Sequence, residues 1–504
     1  MNRLLIRDAR LLTLDPAIGE IARGWLRIEG RRIGDLGAGE APPPGPEEKV
    51  LEGRDRLVMP GLINCHLHSH EHIQRGRFDN MPMEVWQHFV RPPGGLALGA
   101  EGVYLRTMIG ILEMLRTGTT CAVDDVNHFP AYDEAEIEAV FRAYEDSGLR
   151  AAVSVSMLDR RLVEGIPYVR ETFPEALLAR IMAQPAPDRA RLLEVASAWA
   201  ARYADPAARV RFLVAPSAPS RCSDEFLLEL QALAERLDLP FFTHLSETRI
   251  QIVTAEAFYG KRSLTQHLHD LGLLTPRLGA YHGVWLDEED IRLVAEGGTS
   301  VVHSPLSNLK LGSGIPPLRK MLDAGVNLAL GCDGCGSNDS LNSFVNLRVA
   351  ALLHKVTHPL PERWVGAAEA LEMATLGGAR ALGLGDRLGR LAPGLLADLV
   401  VIDLSQPEYL PLNDAARQVV FCETGANVET VIVDGEIVFA EGRPTKIDGE
   451  ALARDIRELH AALAPKLAAA SRSAEEMRPF VERIYNRAVQ EAGAWGRGVG
   501  PPSE

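Results

Sequence analysis

The sequence predicts an α/β protein built on a (β/α)8 TIM-type barrel, with a small composite β domain from both chain ends and a helical tail. Three observations carry this. Between Gly61 and about Gly383, eight apolar strand-like runs alternate with amphipathic helical stretches, the number and order of a parallel β/α barrel. Both flanks of that region are short β segments punctuated by Gly turns. From about Asp448 onward the chain is rich in Ala, Glu, Arg and Leu, as a helix is.

In chain order, residues 1–58 give the β segments RLLIRDARLLTL, GWLRIEG and RRIGDLG, broken by Gly turns and the Pro-rich loop APPPGP. Residues 59–383 form the expected barrel, with strands in GLINCHLH, TTCAVDD, RAAVSVSM, VRFLVAP, LPFFTHL, LGAYHGV, GTSVVHSP and NLALGCDG. Residues 384–445 return to short strands and can complete the β domain begun by residues 1–58. Residues 446–504 are the helical tail, fraying at GRGVGPPSE. Residues 160–204 are longer and more helical than a barrel requires, and are expected to cover the mouth or make a subunit contact.

Charge narrows the partners. The chain of 504 residues has 53 basic and 68 acidic side chains, a net −15, and no Lys/Arg-rich run. Nucleic acid and anionic membranes are therefore disfavoured. The first residues, MNRLLIRDARLLTLDP, never build the apolar stretch of a signal peptide or the roughly 20-residue span of a membrane helix. A cytoplasmic chain is expected, acting on a small-molecule substrate as a homo-oligomer. Its six cysteines, at 65, 121, 222, 332, 335 and 422, are too sparse for a disulfide scaffold and are expected to be reduced.

Four of the strand candidates end in a residue able to bind a metal. His66 and His68 are two apart, so on an extended strand both point to one face, toward the barrel interior. His244 closes FFTH and Asp333 closes LALGCD. Barrel catalysis sits at the C-terminal strand ends, where residues distant in sequence meet. Three imidazoles and a carboxylate suit Zn²⁺, with Fe²⁺ or Mn²⁺ as alternatives.

With these residues the chain resembles the amidohydrolase superfamily, in the branch of S-adenosylhomocysteine, guanine and triazine deaminases and chlorohydrolases. The matching motifs are VMPGLINCHLHSH, EMLRTGTT, FFTHLSET, HGVWL, VVHSPLSNLKLGSG, LGCDGCGSNDSLN and APGLLADLVVID, in the family's order from residue 58 to 403. The resemblance implies a barrel with a composite β-sandwich and a metal on His66, His68, His244 and Asp333. Two-metal relatives bridge their ions with a carbamylated lysine on a middle strand, yet no lysine lies between Lys49 and Lys261. One ion per chain is expected.

Glu247, three residues after His244, stands where a carboxylate shuttles a proton between the attacking water and the leaving nitrogen. Asp333 can ligate and also take the water's proton, and His282, at the end of GAYHG, can hydrogen-bond the nucleophile or the developing oxyanion. The family assigns the same roles. The resemblance also places Glu71, Gln74, Trp86, His303 and Asn308 against the substrate, with His303 open to a structural role as well. Glu71 occupies a position where triazine and oxidised-purine deaminases carry Gln; an acceptor-only carboxylate there favours a donor-rich or cationic substrate face. His70 and His72 are read as core or surface residues, Lys310 as a solvated loop residue, Asp124, Asp125 and His128 as structural hydrogen-bonders, and Cys332 and Cys335 as neither zinc-binding nor redox-active.

The leading function is hydrolytic deamination of an amino-substituted heterocycle such as a purine, pterin or triazine. The alternative is hydrolysis of another leaving group, a ureido or amide nitrogen, an N-alkylamine or a halide. A non-catalytic scaffold is a third class, opposed by retention of the four ligands with Glu247 and His282.

Overall fold

The computed structural model describes residues 3–91, 95–128 and 132–492. The chain opens with β1 (Arg3–Leu12), β2 (Glu20–Glu29), β3 (Arg32–Ala38), β4 (Lys49–Glu52) and β5 (Arg56–Pro60). Next come β6 (Leu62–Leu67), β7 (Thr119–Val126), β8 (Arg150–Val155), β9 (Val210–Leu213), β10 (Phe241–Leu245), β11 (Leu278–His282), β12 (Ser300–His303) and β13 (Leu328–Leu330). It returns to strands with β14 (Leu399–Asp403), β15 (Val428–Val433), β16 (Glu436–Ala440) and β17 (Arg443–Pro444), and ends in a helix over Gly449–Ala492.

Each of the eight apolar runs forms one of β6–β13, and every residue in these strands is buried. Burial on both faces is why they read as continuous apolar runs. They pair in parallel as two sheets, β6-β7-β8-β9 and β10-β11-β12-β13. Backbone bonds cross both gaps between the sheets. Phe242 N–H donates to Val214 O at 3.0 Å on one side, and Asp333 N–H to His66 O at 2.7 Å on the other.

The chain ends share one nine-stranded sheet in the order β17-β16-β15-β14-β5-β1-β2-β3, with β4 paired to β1. β4, just after the Pro-rich loop, is a strand the sequence pattern did not reveal; its four residues are too few to show an alternation. Arg150, buried at the start of β8, ties this sheet to the parallel strands: Nε and Nη2 donate to Asp398 at 2.7 and 3.0 Å, and Nη2 to Asp434 at 3.0 Å.

The Gly449–Ala492 helix buries Leu463, Leu467, Ala474, Met477, Val481, Ile484 and Ala488, a three- and four-residue spacing that lines one face. GRGVGPPSE lies outside the described residues. From Ala474 to Ala488 that face shares a core with Met83, Trp86 and Phe89, which follow β6, and with Val163, Ile166 and Phe173, which follow β8. Ile250 and Leu311, after β10 and β12, complete it. The tail and part of the 160–204 segment therefore pack above the C-terminal strand ends. Among the described residues no helix is long and apolar enough to cross a membrane.

Candidate metal centre and active site

His66, His68, His244, His282 and Asp333 converge at the C-terminal ends of β6, β10, β11 and β13, all buried. Within this group His66, His68 and Asp333 bring ligand atoms within 4.8 Å of one another, as do His66, His244 and His282. His66 Nε2 and His68 Nε2 each lie 3.4 Å from Asp333 Oδ1. The ring of Tyr281 stacks on His66 with centroids 3.7 Å apart, a floor for the cluster. His282 and Asp333 both hold left-handed backbone conformations, φ +73° and +66°. Non-glycine residues adopt these only when the surroundings enforce them, and here they turn both side chains over the strand ends.

The second nitrogen of three of these rings is fixed from behind. His68 Nδ1 donates to Asp125 O and His244 Nδ1 to Ser217 O, both at 2.6 Å, and His282 Nδ1 donates to Asn308 Oδ1 at 3.0 Å. Burial is the largest cause that holds the His66, His68 and His244 pKa values below the ordinary histidine value, so the rings are neutral. Burial pushes Asp333 the other way, but His66, His68, His282 and the Ser307 hydroxyl outweigh it and keep the carboxylate ionised. Both nitrogens of the buried His66 ring have no hydrogen-bond partner among the described residues. With Nδ1 of His68 and of His244 donating, their Nε2 lone pairs face each other at 3.3 Å. A divalent cation fits this donor set, satisfying groups that are otherwise orphaned or repulsive.

Glu247 is buried beside the cluster, its Oε2 3.8 Å from His282 Nε2, and burial raises its pKa above the ordinary carboxylate value. Close by, Glu84 accepts a bond from Thr248, and burial, reinforced by Glu247, takes it to about 7. Sequence reasoning missed Glu84, two residues before the Trp86 it singled out. It also gave no role to Ser217, whose backbone carbonyl, a group blind to residue type, does the orienting.

Glu71 is fully buried; Oε2 accepts the Gly336 N–H at 3.1 Å, while Oε1 sits 3.7 Å from His70 Nε2. Burial, then Asp333, raises its pKa to about 8, so near neutral pH it can donate as well as accept. That differs from the acceptor-only expectation, because the loop after β6 closes over the side chain. Gln74 donates to Val90 O at 2.7 Å, and Trp86 Nε1–H donates to Gly336 O at 3.1 Å, so both are engaged with the protein. His303 pairs with His354, Nε2 to Nε2 at 3.2 Å, and Asn308 is the partner of His282. Lys310 pairs with Asp339 rather than with solvent alone. His72 donates to Arg106 O, and Asp124 accepts from Ser69 N–H and Tyr144 O–H. Asp125 both accepts from Ser154 and presents the carbonyl that holds His68. Cys332 and Cys335 are buried free thiols, with Arg75 donating to Cys335 Sγ.

Parallel strands, neutral histidines and an ionised aspartate at their C-terminal ends, and a raised carboxylate beside them define a metal-dependent hydrolase site. The chain belongs to the amidohydrolase family, whose pattern matches residues 57–438. It is 33% identical over 456 residues to a 5'-deoxyadenosine deaminase of Methanosarcina mazei, covering 89% of this chain and 95% of that one. It is 35% identical over 467 residues to a 5-methylthioadenosine/S-adenosylhomocysteine deaminase of Desulforamulus reducens, covering 92% and 100%. Among solved structures, an adenosine deaminase from Xanthomonas campestris with bound zinc superposes with a TM-score of 0.78 at 32% identity, covering 92% of this chain and 98% of that one. The atrazine chlorohydrolase of Arthrobacter aurescens, complexed with zinc, gives 0.83 at 26% identity, covering 91% and 100%.

Proposed function

We propose that this chain is a metal-dependent deaminase that hydrolyses the exocyclic amine of an adenosine derivative. The observation that carries the proposal is the junction of His66, His68, His244 and Asp333 with the buried pair Glu247 and His282. The adenosine class is supported by the relatives at 33 and 35% identity. The supporting frame is a (β/α)8 barrel over residues 59–383, closed at the two seams bridged by Phe242 and Asp333. A β-sandwich domain from residues 1–58 and 384–445 and the tail 446–504 flank it.

One ion, zinc by preference for this N/O donor set, is assigned to His66, His68, His244 and Asp333; the lysine-free stretch before Lys261 offers no bridging carbamate. Such an ion lowers the pKa of water to about 7 and so supplies a nucleophile at neutral pH. Glu247, held protonated more readily than an ordinary carboxyl, gives its proton to a ring nitrogen as water adds to the amine-bearing carbon. Asp333 accepts the proton that the water loses. His282, its Nδ1 committed to Asn308, presents Nε2 to the attacking oxygen and keeps it aligned. Asp333 passes the water's proton to the amine, which leaves as ammonia, while the hydroxyl of the tetrahedral adduct returns a proton to Glu247 as the keto ring forms; no covalent enzyme intermediate is needed.

The test is ammonia release from a panel of 5'-deoxyadenosine, 5'-methylthioadenosine, S-adenosylhomocysteine, guanine, a pterin and an aminotriazine. Ammonia with the matching inosine product from at least one adenosine derivative is expected. Chloride or alkylamine release from triazines, with no adenosine derivative turned over, would contradict the proposal.

A further inference from the structure

A cavity of about 350 Å³ lies beside the catalytic cluster, walled by residues that follow β6, β7 and β8 and by the tail helix. Its polar wall includes His70, His88, Arg91, Arg106 and His128, and Met477 of the tail closes it. His70 connects it to the metal centre, its ring centroid 5.2 Å from that of His68. Arg91 lies at the same junction, since its charge acts on His66, His68, Glu71 and Glu247.

Arg106 is the informative residue. It is 6% exposed, and its Nε and Nη2 have no hydrogen-bond partner among the described residues. Those two atoms form one edge of the guanidinium, the edge that grips a carboxylate or phosphate with two parallel N–H bonds. Burial lowers its pKa to about 10, which leaves it charged at neutral pH. Arg91 Nε, His88 Nε2 and His128 Nε2 are also buried without partners among the described residues. His70 Nδ1 accepts the Asn127 N–H, which leaves the proton on Nε2, directed at Glu71 Oε1 3.7 Å away rather than at the cavity. The charges of Asp124 and Glu136 act on Arg106, but neither hydrogen-bonds its Nε or Nη2; Asp133 accepts the Glu136 N–H, and Glu136 the Gly99 N–H. A buried guanidinium edge left without an acceptor is costly, so the wall is built for an anion.

We propose that this cavity is a substrate subsite for an oxyanion, a carboxylate or phosphate carried on a substituent of the heterocycle. Arg106 grips it through Nε and Nη2, and Arg91 faces it from the catalytic side. This rests on the deaminase proposal and deepens it, because the subsite favours acid-bearing adenosine derivatives over uncharged ones.

The test compares kcat/KM on uncharged 5'-deoxyadenosine, on S-adenosylhomocysteine with its carboxylate, and on adenosine 5'-monophosphate with its phosphate. The wild type is expected to prefer one acid-bearing substrate by about 10-fold or more, and which one identifies the oxyanion. Arg106→Gln should lower that preference about 10-fold or more, with Arg106→Lys restoring only part of it. Ser473→Asp, at an exposed tail position on the cavity wall, adds a repelling charge without burying it and should also lower the preference. No wild-type preference, or a preference untouched by both Arg106→Gln and Ser473→Asp, overturns the subsite while leaving the deaminase proposal standing. If no adenosine derivative is turned over, the deaminase proposal fails and calorimetry with acetate and inorganic phosphate decides the subsite. Binding of either probe that weakens about 10-fold in Arg106→Gln supports it; absent or unchanged binding overturns it.

Discussion

His68 and His244 face each other through their Nε2 atoms at 3.3 Å, each ring anchored by an Nδ1 bond to a carbonyl at 2.6 Å. Two neutral acceptor nitrogens at that distance repel, and a shared cation turns repulsion into ligation. Purified protein is therefore expected to hold about one divalent ion per chain, and His68→Ala or His244→Ala to lose most of it. Chelation should lower the melting temperature of the wild type, because the ion binds the folded state alone. Mass spectrometry of the metal content checks the first outcome; two equivalents, both needed for activity, would contradict the single-ion assignment.

Asn308 accepts the His282 Nδ1–H at 3.0 Å and in the proposed mechanism acts through that ring. Asn308→Ala should lower kcat by about 10-fold with little change in KM, since it releases the imidazole rather than a substrate contact. A KM rise with kcat preserved would instead make Asn308 a substrate-binding residue. Steady-state kinetics separates the two.

Much of this site was legible in the sequence because its residues announce themselves by type and place. His66, His68, His244 and Asp333 each end an apolar run, and strand ends are where a parallel α/β architecture gathers side chains. Glu247 and His282 sit beside them for the same reason. The roles of Asp125 and Ser217 in holding His68 and His244 were not legible, since a backbone carbonyl leaves no mark on residue choice. Arg106 was silent for another reason: a lone arginine in an amphipathic helix reads as surface until packing buries it. The tail's helical character was plain, whereas its place above the strand ends depends on contacts across hundreds of residues, with Trp86 and Val163.

Asp398 accepts two bonds from the buried Arg150 and a third from the Asp434 N–H. Asp398→Ala leaves that guanidinium with Asp434 as its one carboxylate partner between β8 and the nine-stranded sheet, and should destabilise the fold by about 3 kcal/mol. Urea unfolding measures it. A loss below about 1 kcal/mol would show the network to be as weak as a surface pair.

Glu71, whose ordinary pKa of 4.5 rises to about 8 on burial, should make stability depend on pH. Between these values the unfolded chain releases the proton and the folded one keeps it, so stability falls as pH rises from 4.5 to about 8. Glu71→Gln, which cannot ionise, should flatten that slope, the gain over wild type growing toward pH 8. Parallel melting curves for wild type and mutant across this range would refute the burial effect.

The division of labour at the metal centre is tested most directly by measuring metal content and turnover on one preparation of Glu247→Gln. In the proposed mechanism Glu247 moves protons and does not ligate, so the variant should keep its ion, match the wild type in metal per chain, and lose about 10²-fold or more in kcat. A variant stripped of metal, or one that turns over substrate at nearly the wild-type rate, would contradict it.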